Sequence, residues 1–313
     1  MQAIREIFSW PIALMQPRRT GWNEASRLEV PVLTVTRRKF LVSAVAAGLC
    51  SRMDFAQEQK LRIGVTDWNL NLGASPEALP LAAKLGFDGV QISFGRKLVD
   101  GKMPADNPEV IARYLSLSKQ YKLPIDGTCV DKLHDNGLKS DPLGPKWVLD
   151  SIRLTRALDT KVLLLPFFGP WALQTKQEME HVGDALRDLA PEATEAGVIL
   201  GLENTISAED NVRIMERSQS ASVKVYYDVG NSSKAGFDPV KEIRWLGKER
   251  ICQFHLKDNP HYLGEGDIRF APIMRAIRDI GFSGYANLET DAPSSQLEAD
   301  LRKNLAYIRN VMA

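Results

Sequence analysis

Short hydrophobic runs alternate with amphipathic stretches eight times along the chain from residue 60 onward. Each run has the length and the β-branched character of a buried strand, and each following stretch repeats its apolar positions with the spacing of an α-helix. The predicted strands cover residues 61–66, 89–94, 124–130, 161–166, 198–203, 223–228, 251–257 and 284–289. The predicted helices cover residues 76–86, 107–122, 142–159, 177–196, 208–220, 238–247, 271–280 and 295–312.

Local signals mark where several of these helices begin and end. Ser75 before Pro76, and Asp141 before a second proline, are typical of an N-cap followed by proline at the first helical position. Gly86 and Gly197 are typical of the left-handed residue that ends a helix.

Strict alternation of strands and helices predicts a parallel sheet in an α/β protein. Eight such units in about 250 residues have the size of a (β/α)8 barrel. A doubly wound open sheet is the alternative, but its first strand usually leads into a glycine-rich phosphate loop. Here the first strand leads into Thr66-Asp67-Trp68-Asn69, so the barrel is favoured.

The formal net charge of +1 conceals an uneven distribution along the 313 residues. Residues 1–56 carry eight basic and four acidic side chains, so the remaining 32 basic and 35 acidic ones give residues 57–313 a net charge of −3. Such a body lacks the basic surface that nucleic-acid binding requires. We therefore expect no nucleic-acid partner.

Residues 1–56 have the pattern of an export signal that precedes a barrel of residues 57–313. Arg37-Arg38-Lys39 is followed by an apolar stretch, 41–49, that is too short to span a bilayer. A basic segment before a short apolar one is typical of a signal peptide, and paired arginines are typical of the twin-arginine type. This predicts contact with the export machinery and a periplasmic protein. If the segment is instead an ordinary amphipathic helix, the protein is cytoplasmic.

The three cysteines do not predict a disulfide. Cys50 lies in the leader, whereas Cys129 ends one predicted strand and Cys252 begins another. These two positions fall at opposite ends of a parallel barrel, beyond the reach of a disulfide. We expect Cys129 and Cys252 to be small buried apolar residues.

Four consecutive strands end with a residue that can bind a metal ion. Strands five to eight carry Glu203, Asp228, His255 and Glu289 at their C-terminal ends. Because active sites of such barrels lie at this end, the four side chains are expected to converge. Any one of them alone is more often a helix cap, an ion pair or a hydrogen-bonded core histidine. Their occurrence on four successive strands favours a shared site.

The apolar neighbours of these residues agree with an inward orientation, because side chains alternate along a strand. If His255 points into the barrel, Phe254 and Leu256 point to the helices and Lys257 points inward again. The residues that precede Asp228 and Glu289 are apolar in the same way.

Three neighbouring carboxylates repel one another, and burial adds to the cost. A divalent cation removes this conflict. Three oxygen donors and one imidazole suit Mn, Mg, Co, Fe or Zn and leave positions for a substrate. We therefore expect one divalent metal ion of undetermined identity.

The strand ends also carry longer motifs that resemble those of the sugar phosphate isomerase/epimerase superfamily, the xylose isomerase-like TIM barrels. The resemblance covers roughly residues 60–312 and includes ketose 3-epimerases, inosose isomerases and dehydratases, and endonuclease IV. Its motifs are Leu202-Glu203-Asn204, Asp228-Val229-Gly230-Asn231, His255-Leu256-Lys257-Asp258, Gly264-Glu265-Gly266-Asp267 and Leu288-Glu289.

The resemblance implies roles for the matching residues. It implies one divalent metal bound by Glu203, Asp228, His255 and Glu289, with the two glutamates also acting as acid and base on opposite faces of the substrate. It further implies that Lys257, two residues after the histidine, touches substrate oxygens.

Two positions depart from the family pattern. Many members have a histidine where Asn231 stands, and relatives often have an acidic or neutral residue where Arg269 stands. We therefore expect an altered substrate contact at Asn231, and a substrate with an acidic or bulky group near Arg269. The three-metal chemistry of endonuclease IV is not expected, because the chain has only four histidines.

Three further residues are candidates for the rim of the substrate site. His134 follows the third strand and either contacts substrate or caps its loop. Trp68 and Trp171 lie in the loops after strands one and four, where an indole suits a sugar face but also serves ordinary packing.

These features leave three functions open, each with a small-molecule sugar as partner. The first is a metal-dependent isomerase or epimerase, in which the cation stabilises an enediolate while Glu203 and Glu289 move a proton. The second is a lyase or dehydratase that eliminates from a keto-glycoside or keto-cyclitol at the same metal site. The third is a non-catalytic carbohydrate-binding barrel, which Asn231 favours. Since phosphosugars are scarce outside the cytoplasm, we expect a free or oxidised sugar. The sequence leaves the oligomeric state open, a homo-oligomer included.

Overall fold

The computed structural model describes residues 61–313, so the predicted leader and Cys50 lie outside the described residues. Eight parallel strands close into a barrel in chain order, with β1 pairing with both β2 and β8. This confirms the predicted (β/α)8 TIM barrel. The strands are β1 (Leu61–Thr66), β2 (Gly89–Ser93), β3 (Ile125–Cys129), β4 (Val162–Pro166), β5 (Ile199–Glu203), β6 (Val223–Asp228), β7 (Ile251–Leu256) and β8 (Gly284–Leu288).

Helices surround the barrel and connect its strands. Within residues 61–313 they are α1 (Ala78–Leu85), α2 (Pro108–Tyr121), α3 (Gly144–Ala157), α4 (Lys176–Ala196), α5 (Ala208–Ser218), α6 (Val229–Lys234), α7 (Pro239–Arg250), α8 (Phe270–Asp279) and α9 (Leu297–Met312). The short helix α6 follows β6 directly and was not predicted. Among the described residues, none of these helices is both long and apolar enough to cross a membrane.

Helix ends follow local chemistry. Thr175 accepts a hydrogen bond from the Glu178 N–H while the Glu178 side chain accepts one from the Thr175 N–H, a capping box that begins α4. Gly86 and Gly197 end α1 and α4 with φ of 90° and 68°, as predicted.

Two helices begin two residues later than the sequence pattern predicts. Ser75 and Asp141 each accept a backbone hydrogen bond through the main-chain carbonyl, from Ala78 N and Gly144 N at 3.1 and 3.0 Å. Each of these bonds closes a turn that precedes α1 or α3. Ser75 and Asp141 therefore begin that turn and are not the N-caps of the helices.

The apolar core lies between the strands and the helices, whereas the inside of the barrel is largely polar. Along β2, Val90 and Ile92 face the helices and are fully buried. The alternate residue Gln91 faces the barrel axis and is equally buried. Side-chain alternation thus produces a polar interior directly beneath the C-terminal ends of the strands.

The two described cysteines are free, which agrees with the prediction. Cys129 is buried, and Cys252 is partly buried. Cys129 belongs to a small apolar cluster with Val162, Leu164 and Tyr226, and Cys252 packs against this cluster.

Candidate metal centre

The four predicted metal ligands lie together at the C-terminal end of the barrel. Glu203, Asp228 and His255 end or nearly end β5, β6 and β7, and Glu289 follows β8 directly. One ligand atom from each lies within 4.8 Å of all the others. The parallel register brings them together, because Asp228 pairs with His255 across neighbouring strands.

His255 lies at the centre of this cluster and is fully buried. Its Nδ1 atom is 2.9 Å from Glu203 Oε1, 3.5 Å from Glu289 Oε2 and 3.8 Å from Asp228 Oδ2. All three carboxylates therefore face the same ring nitrogen. This is the arrangement expected of ligands around one small ion.

Lys257 supplies positive charge to the same cluster. Its Nζ atom donates a hydrogen bond of 2.5 Å to Glu289 Oε2 and lies 2.7 Å from Asp228 Oδ2. Burial opposes the charge of this ammonium group, but Asp228 and Glu289 outweigh burial and raise the pKa of Lys257 well above its usual range. These two carboxylates therefore favour the charged form of the lysine.

The carboxylates of the cluster differ in their affinity for protons. Burial raises the pKa of Asp228 to about 7. Burial also acts to raise the pKa of Glu289, but the charges of His255 and Lys257 outweigh it and lower that pKa to about 2. Buried like charges at this distance favour the binding of a proton or a cation.

The cluster fits a divalent metal ion. Three carboxylates and one imidazole are the donors that Mn, Mg, Co, Fe and Zn accept. Asp228 Oδ2 is buried and lies 2.7 Å from Lys257 Nζ, its close polar neighbour within residues 61–313. Two carboxylates, Asp228 and Glu289, share this one ammonium group, so lone pairs of their oxygens are left to bind a metal ion.

Asn231 and Trp68 contact the predicted metal-binding carboxylates directly. The Asn231 N–H donates to Asp228 Oδ1 over 2.8 Å, and its Nδ2 atom lies 3.5 Å from Glu203 Oε1. The Trp68 indole donates from Nε1 to Glu289 Oε1 over 3.0 Å. The Trp68 side chain and the Asn231 backbone therefore each orient a predicted ligand.

A cavity of about 570 Å³ opens above the cluster. It is bounded by Glu203, Glu289 and Lys257 at its base and by side chains of the strand-end loops at its rim. Four of the six predicted substrate-binding residues line it, namely Trp68, His134, Asn231 and Lys257.

The other two predicted substrate-binding residues do not line this cavity. Arg269 is exposed at the residue that precedes α8. Trp171 lies behind the rim, where its Nε1 atom donates to the His134 carbonyl over 3.1 Å and its ring packs on Gly137. Trp171 therefore supports the His134 loop, and the ring of His134 stacks on Phe168 with centroids 6.3 Å apart.

The structure adds cavity residues that the sequence reasoning missed. Arg96 and Asp131, from the loops after β2 and β3, line the cavity together with Ser93 and Phe168. Burial raises the pKa of Asp131 to about 6, and Arg96 forms an ion pair with Asp135. Their position directly after predicted strands was the available signal, because that is where barrel sites lie.

Similarity to known proteins agrees with this geometry. The family model described as "Xylose isomerase-like TIM barrel" matches residues 79–311. A 2-epi-5-epi-valiolone 7-phosphate 2-epimerase of Actinoplanes sp. is 29% identical over 208 residues, which are 64% of this chain and 73% of that protein.

Two solved structures show the same fold at lower identity. The D-psicose 3-epimerase of Clostridium cellulolyticum H10, solved with D-tagatose, has a TM-score of 0.67 and 18% identity over 80% of this chain and 99% of its own. The 3-keto-D-glucoside 4-epimerase of E. coli has a TM-score of 0.64 and 19% identity over 80% of this chain and 100% of its own. With the matched family model spanning most of the barrel, the chain belongs to the xylose isomerase-like TIM barrel family.

Proposed function

We propose that this protein is a divalent-metal-dependent sugar isomerase or epimerase that acts by proton transfer. The observation that carries the proposal is the convergence of Glu203, Asp228, His255 and Glu289 within 4.8 Å at the base of a cavity. Relatives whose names describe epimerases of sugars or cyclitols support it. A cation held by these four residues would act as a Lewis acid that stabilises the negative charge of an enediolate.

In this proposal, the two glutamates serve as base and acid. Glu203 ends β5 and Glu289 follows β8, so two strands separate them around the barrel and they approach the cavity from different sides. One carboxylate removes the proton beside the carbonyl, and the other returns a proton to the opposite face or to the neighbouring carbon. Lys257, between Asp228 and Glu289, holds positive charge near the reacting oxygens.

The charges around the cavity favour an unphosphorylated substrate. Within residues 61–313, both cations that line it are paired, Arg96 with Asp135 and Lys257 with Asp228 and Glu289. Burial, the larger cause, and then the charge of Arg96 lower the pKa of His134, which keeps that ring neutral. A phosphate group in this cavity would therefore meet no unpaired positive charge. The name of the Actinoplanes relative describes a phosphorylated substrate, so we expect the two proteins to differ in this respect. We expect a free or oxidised sugar.

The leader supports a location outside the cytoplasm. We propose that residues 1–56 direct export of the folded protein through the twin-arginine route, on the basis of Arg37-Arg38 and the apolar stretch that follows. Replacing both arginines by lysine should keep the protein in the cytoplasm of its host. Fractionation that still recovers the variant in the periplasm would refute this route.

Metal analysis combined with a sugar screen tests the proposed function. Protein purified without chelator should hold about one divalent metal ion per chain, and chelation should abolish turnover. With unphosphorylated ketoses and 3-keto-glucosides in D2O, an isomerase or epimerase incorporates one deuterium and otherwise leaves the mass unchanged. Loss of water or of an aglycone would identify the lyase instead.

Two variants test the role of Glu289 in turnover, with bound metal and folding measured in both because Glu289 is also a proposed metal ligand. Glu289→Gln should lower kcat by at least about 100-fold, the usual contribution of a general acid or base. Glu298→Gln, an exposed glutamate on α9, is the matched control and should leave kcat unchanged. Absence of bound metal in the wild-type protein, together with sugar binding, would support a carbohydrate-binding barrel.

A further inference from the structure

The second nitrogen of His255 contacts a residue to which neither the sequence motifs nor the family similarity gives a role. Nδ1 faces the three carboxylates, whereas Nε2 lies 2.7 Å from Gln91 Oε1 inside the barrel. Both side chains are fully buried. A buried contact this short requires one partner to donate and the other to accept.

The surroundings of Gln91 determine which of its amide atoms faces the histidine. Its Nε2 atom lies 3.4 Å from the Thr128 carbonyl, which only accepts hydrogen bonds. Its Oε1 atom receives the Tyr226 hydroxyl at 3.0 Å and Asn287 Nδ2 at 3.4 Å. The carbonyl oxygen of Gln91 therefore faces His255, and His255 must donate to it from Nε2.

Asn287 is itself held in one orientation from below. Its Nδ2 atom donates to Asp126 Oδ1 over 3.0 Å. Asp126 fits beneath it because β1 and β2 have glycines at this level: a Cβ on Gly64 or Gly89 would lie 2.3 or 2.6 Å from Asp126 Oδ2. The chain of contacts thus runs from Asp126 through Asn287 and Gln91 to His255.

We propose that Gln91 is a positioning residue that keeps the proton of His255 on Nε2 and its lone pair on Nδ1, directed at the metal site. This inference rests on the proposed function only in requiring that a metal ion binds. An imidazole ligates a metal through an unprotonated nitrogen, and the partner of its other nitrogen selects the tautomer and the ring orientation. Without the Gln91 carbonyl oxygen, neither the tautomer nor the orientation of the His255 ring is fixed.

The test compares metal affinity in three variants of the full barrel. Gln91→Met removes the acceptor at similar volume and should weaken Mn²⁺ binding about 10–100-fold in equilibrium dialysis. Gln91→Glu keeps an acceptor and should restore most of the affinity. Asn304→Leu is the matched control, because Asn304 on α9 is an equally buried amide that accepts from the Leu263 N–H and lies outside the contacts that run from Asp126 to His255. It should bind Mn²⁺ like the wild-type protein.

A spectroscopic measurement tests the tautomer directly in the wild-type protein. Long-range ¹H–¹⁵N NMR of the Zn²⁺-loaded protein should show the His255 proton on Nε2 and the metal on Nδ1. Metal on Nε2, or equal Mn²⁺ affinities of Gln91→Met and Asn304→Leu, would overturn the inference while leaving the proposed function intact. A wild-type protein that binds no divalent metal would overturn both. If Gln91→Met does not fold, the NMR assignment and Gln91→Glu decide.

Discussion

Trp68 and Glu289 are 221 residues apart in the chain and are joined by a hydrogen bond of 3.0 Å from the indole Nε1 to Oε1. The contact exists because β1 and β8 close the barrel side by side. It occupies one carboxylate oxygen of Glu289 and leaves the other, Oε2, facing Lys257 and His255. Trp68 thus orients a proposed catalytic carboxylate as well as lining the cavity.

Replacing Trp68 by Phe should therefore impair turnover more than substrate binding. The variant keeps an aromatic surface but loses a hydrogen bond to a charged group, which is typically worth about 1.5–3 kcal/mol. If that orientation matters mainly in the transition state, kcat falls about tenfold or more and KM changes little. Steady-state kinetics on the substrate from the screen measures both constants.

Trp171→Phe is the control for Trp68→Phe. Trp171 donates to the His134 carbonyl and does not contact Glu289, so its loss should leave kcat near the wild-type value. Equal effects of the two substitutions would show that the indole of Trp68 acts only through loop packing.

Lys257→Met should destabilise the metal-free protein. Removing one partner of a buried ion pair leaves uncompensated charge and typically costs about 3–5 kcal/mol. Asp228 and Glu289 would then face each other and His255 without the ammonium group. Urea unfolding in the presence of a chelator measures the loss, and a saturating divalent metal should recover part of it.

Lys303→Met provides the comparison for Lys257→Met. Lys303 pairs with Glu265 at the surface, where both side chains are about half exposed. Such pairs contribute about 0.2–1 kcal/mol. If the two lysine variants lose the same stability, the buried cluster does not depend on Lys257 in the way its contacts indicate.

The buried carboxyl group of Asp67, which is not one of the proposed metal ligands, should make the stability of the protein depend on pH. Burial raises the pKa of Asp67 to about 8, although its Oδ2 accepts hydrogen bonds from the N–H groups of Ser93 and Ala74. A folded-state pKa above the unfolded value near 4 means that the folded protein binds this proton more tightly. The contribution to stability is therefore fully present below pH 4 and is lost as the pH rises towards 8.

Asp67→Asn should flatten this dependence. Relative to the wild-type protein, the variant gains stability between pH 5 and pH 8, by an amount on the order of a few kcal/mol. Urea unfolding at both pH values measures the difference between the two proteins. Parallel pH profiles would mean that the carboxyl group ionises without cost in the folded state.

Asp135→Asn should change the preference for phosphorylated substrates. The substitution frees Arg96 from its ion pair at the cavity mouth, so a phosphate would meet an unpaired guanidinium. We expect kcat/KM for a phosphorylated ketose to rise about tenfold relative to the free ketose, which corresponds to about 1.4 kcal/mol.

Asp188→Asn is the control for this switch, because Asp188 lies in an exposed ion pair with Arg187 on α4 and does not line the cavity. Its ratio of kcat/KM values should match that of the wild-type protein. A wild-type enzyme that already prefers the phosphorylated ketose would contradict the argument from paired charges.

Much of the site was predictable because it follows from local pattern and register. Glu203, Asp228 and His255 each stand at the end of an apolar run whose neighbours face the helices, and parallel strands place such ends at one level. Lys257 was predictable by the same alternation. Arg269 was predicted to bind substrate because it departs from the family pattern, and Trp171 because of its loop. The structure places both away from the cavity lining, because loop paths depend on distant packing.

The alternation of eight strands and helices, and the position of the four proposed metal ligands at strand ends, were determined by the sequence itself, since each depends on residues close in the chain. Only the tertiary structure decided three contacts: the hydrogen bond from Trp68 to Glu289, the hydrogen bond between His255 and Gln91, and the ion pair of Arg96 with Asp135. Each of these contacts joins side chains from different loops or strands, 39 to 221 residues apart. Their geometry depends on barrel closure and on which donor finds which acceptor, and no spacing along the chain encodes that choice.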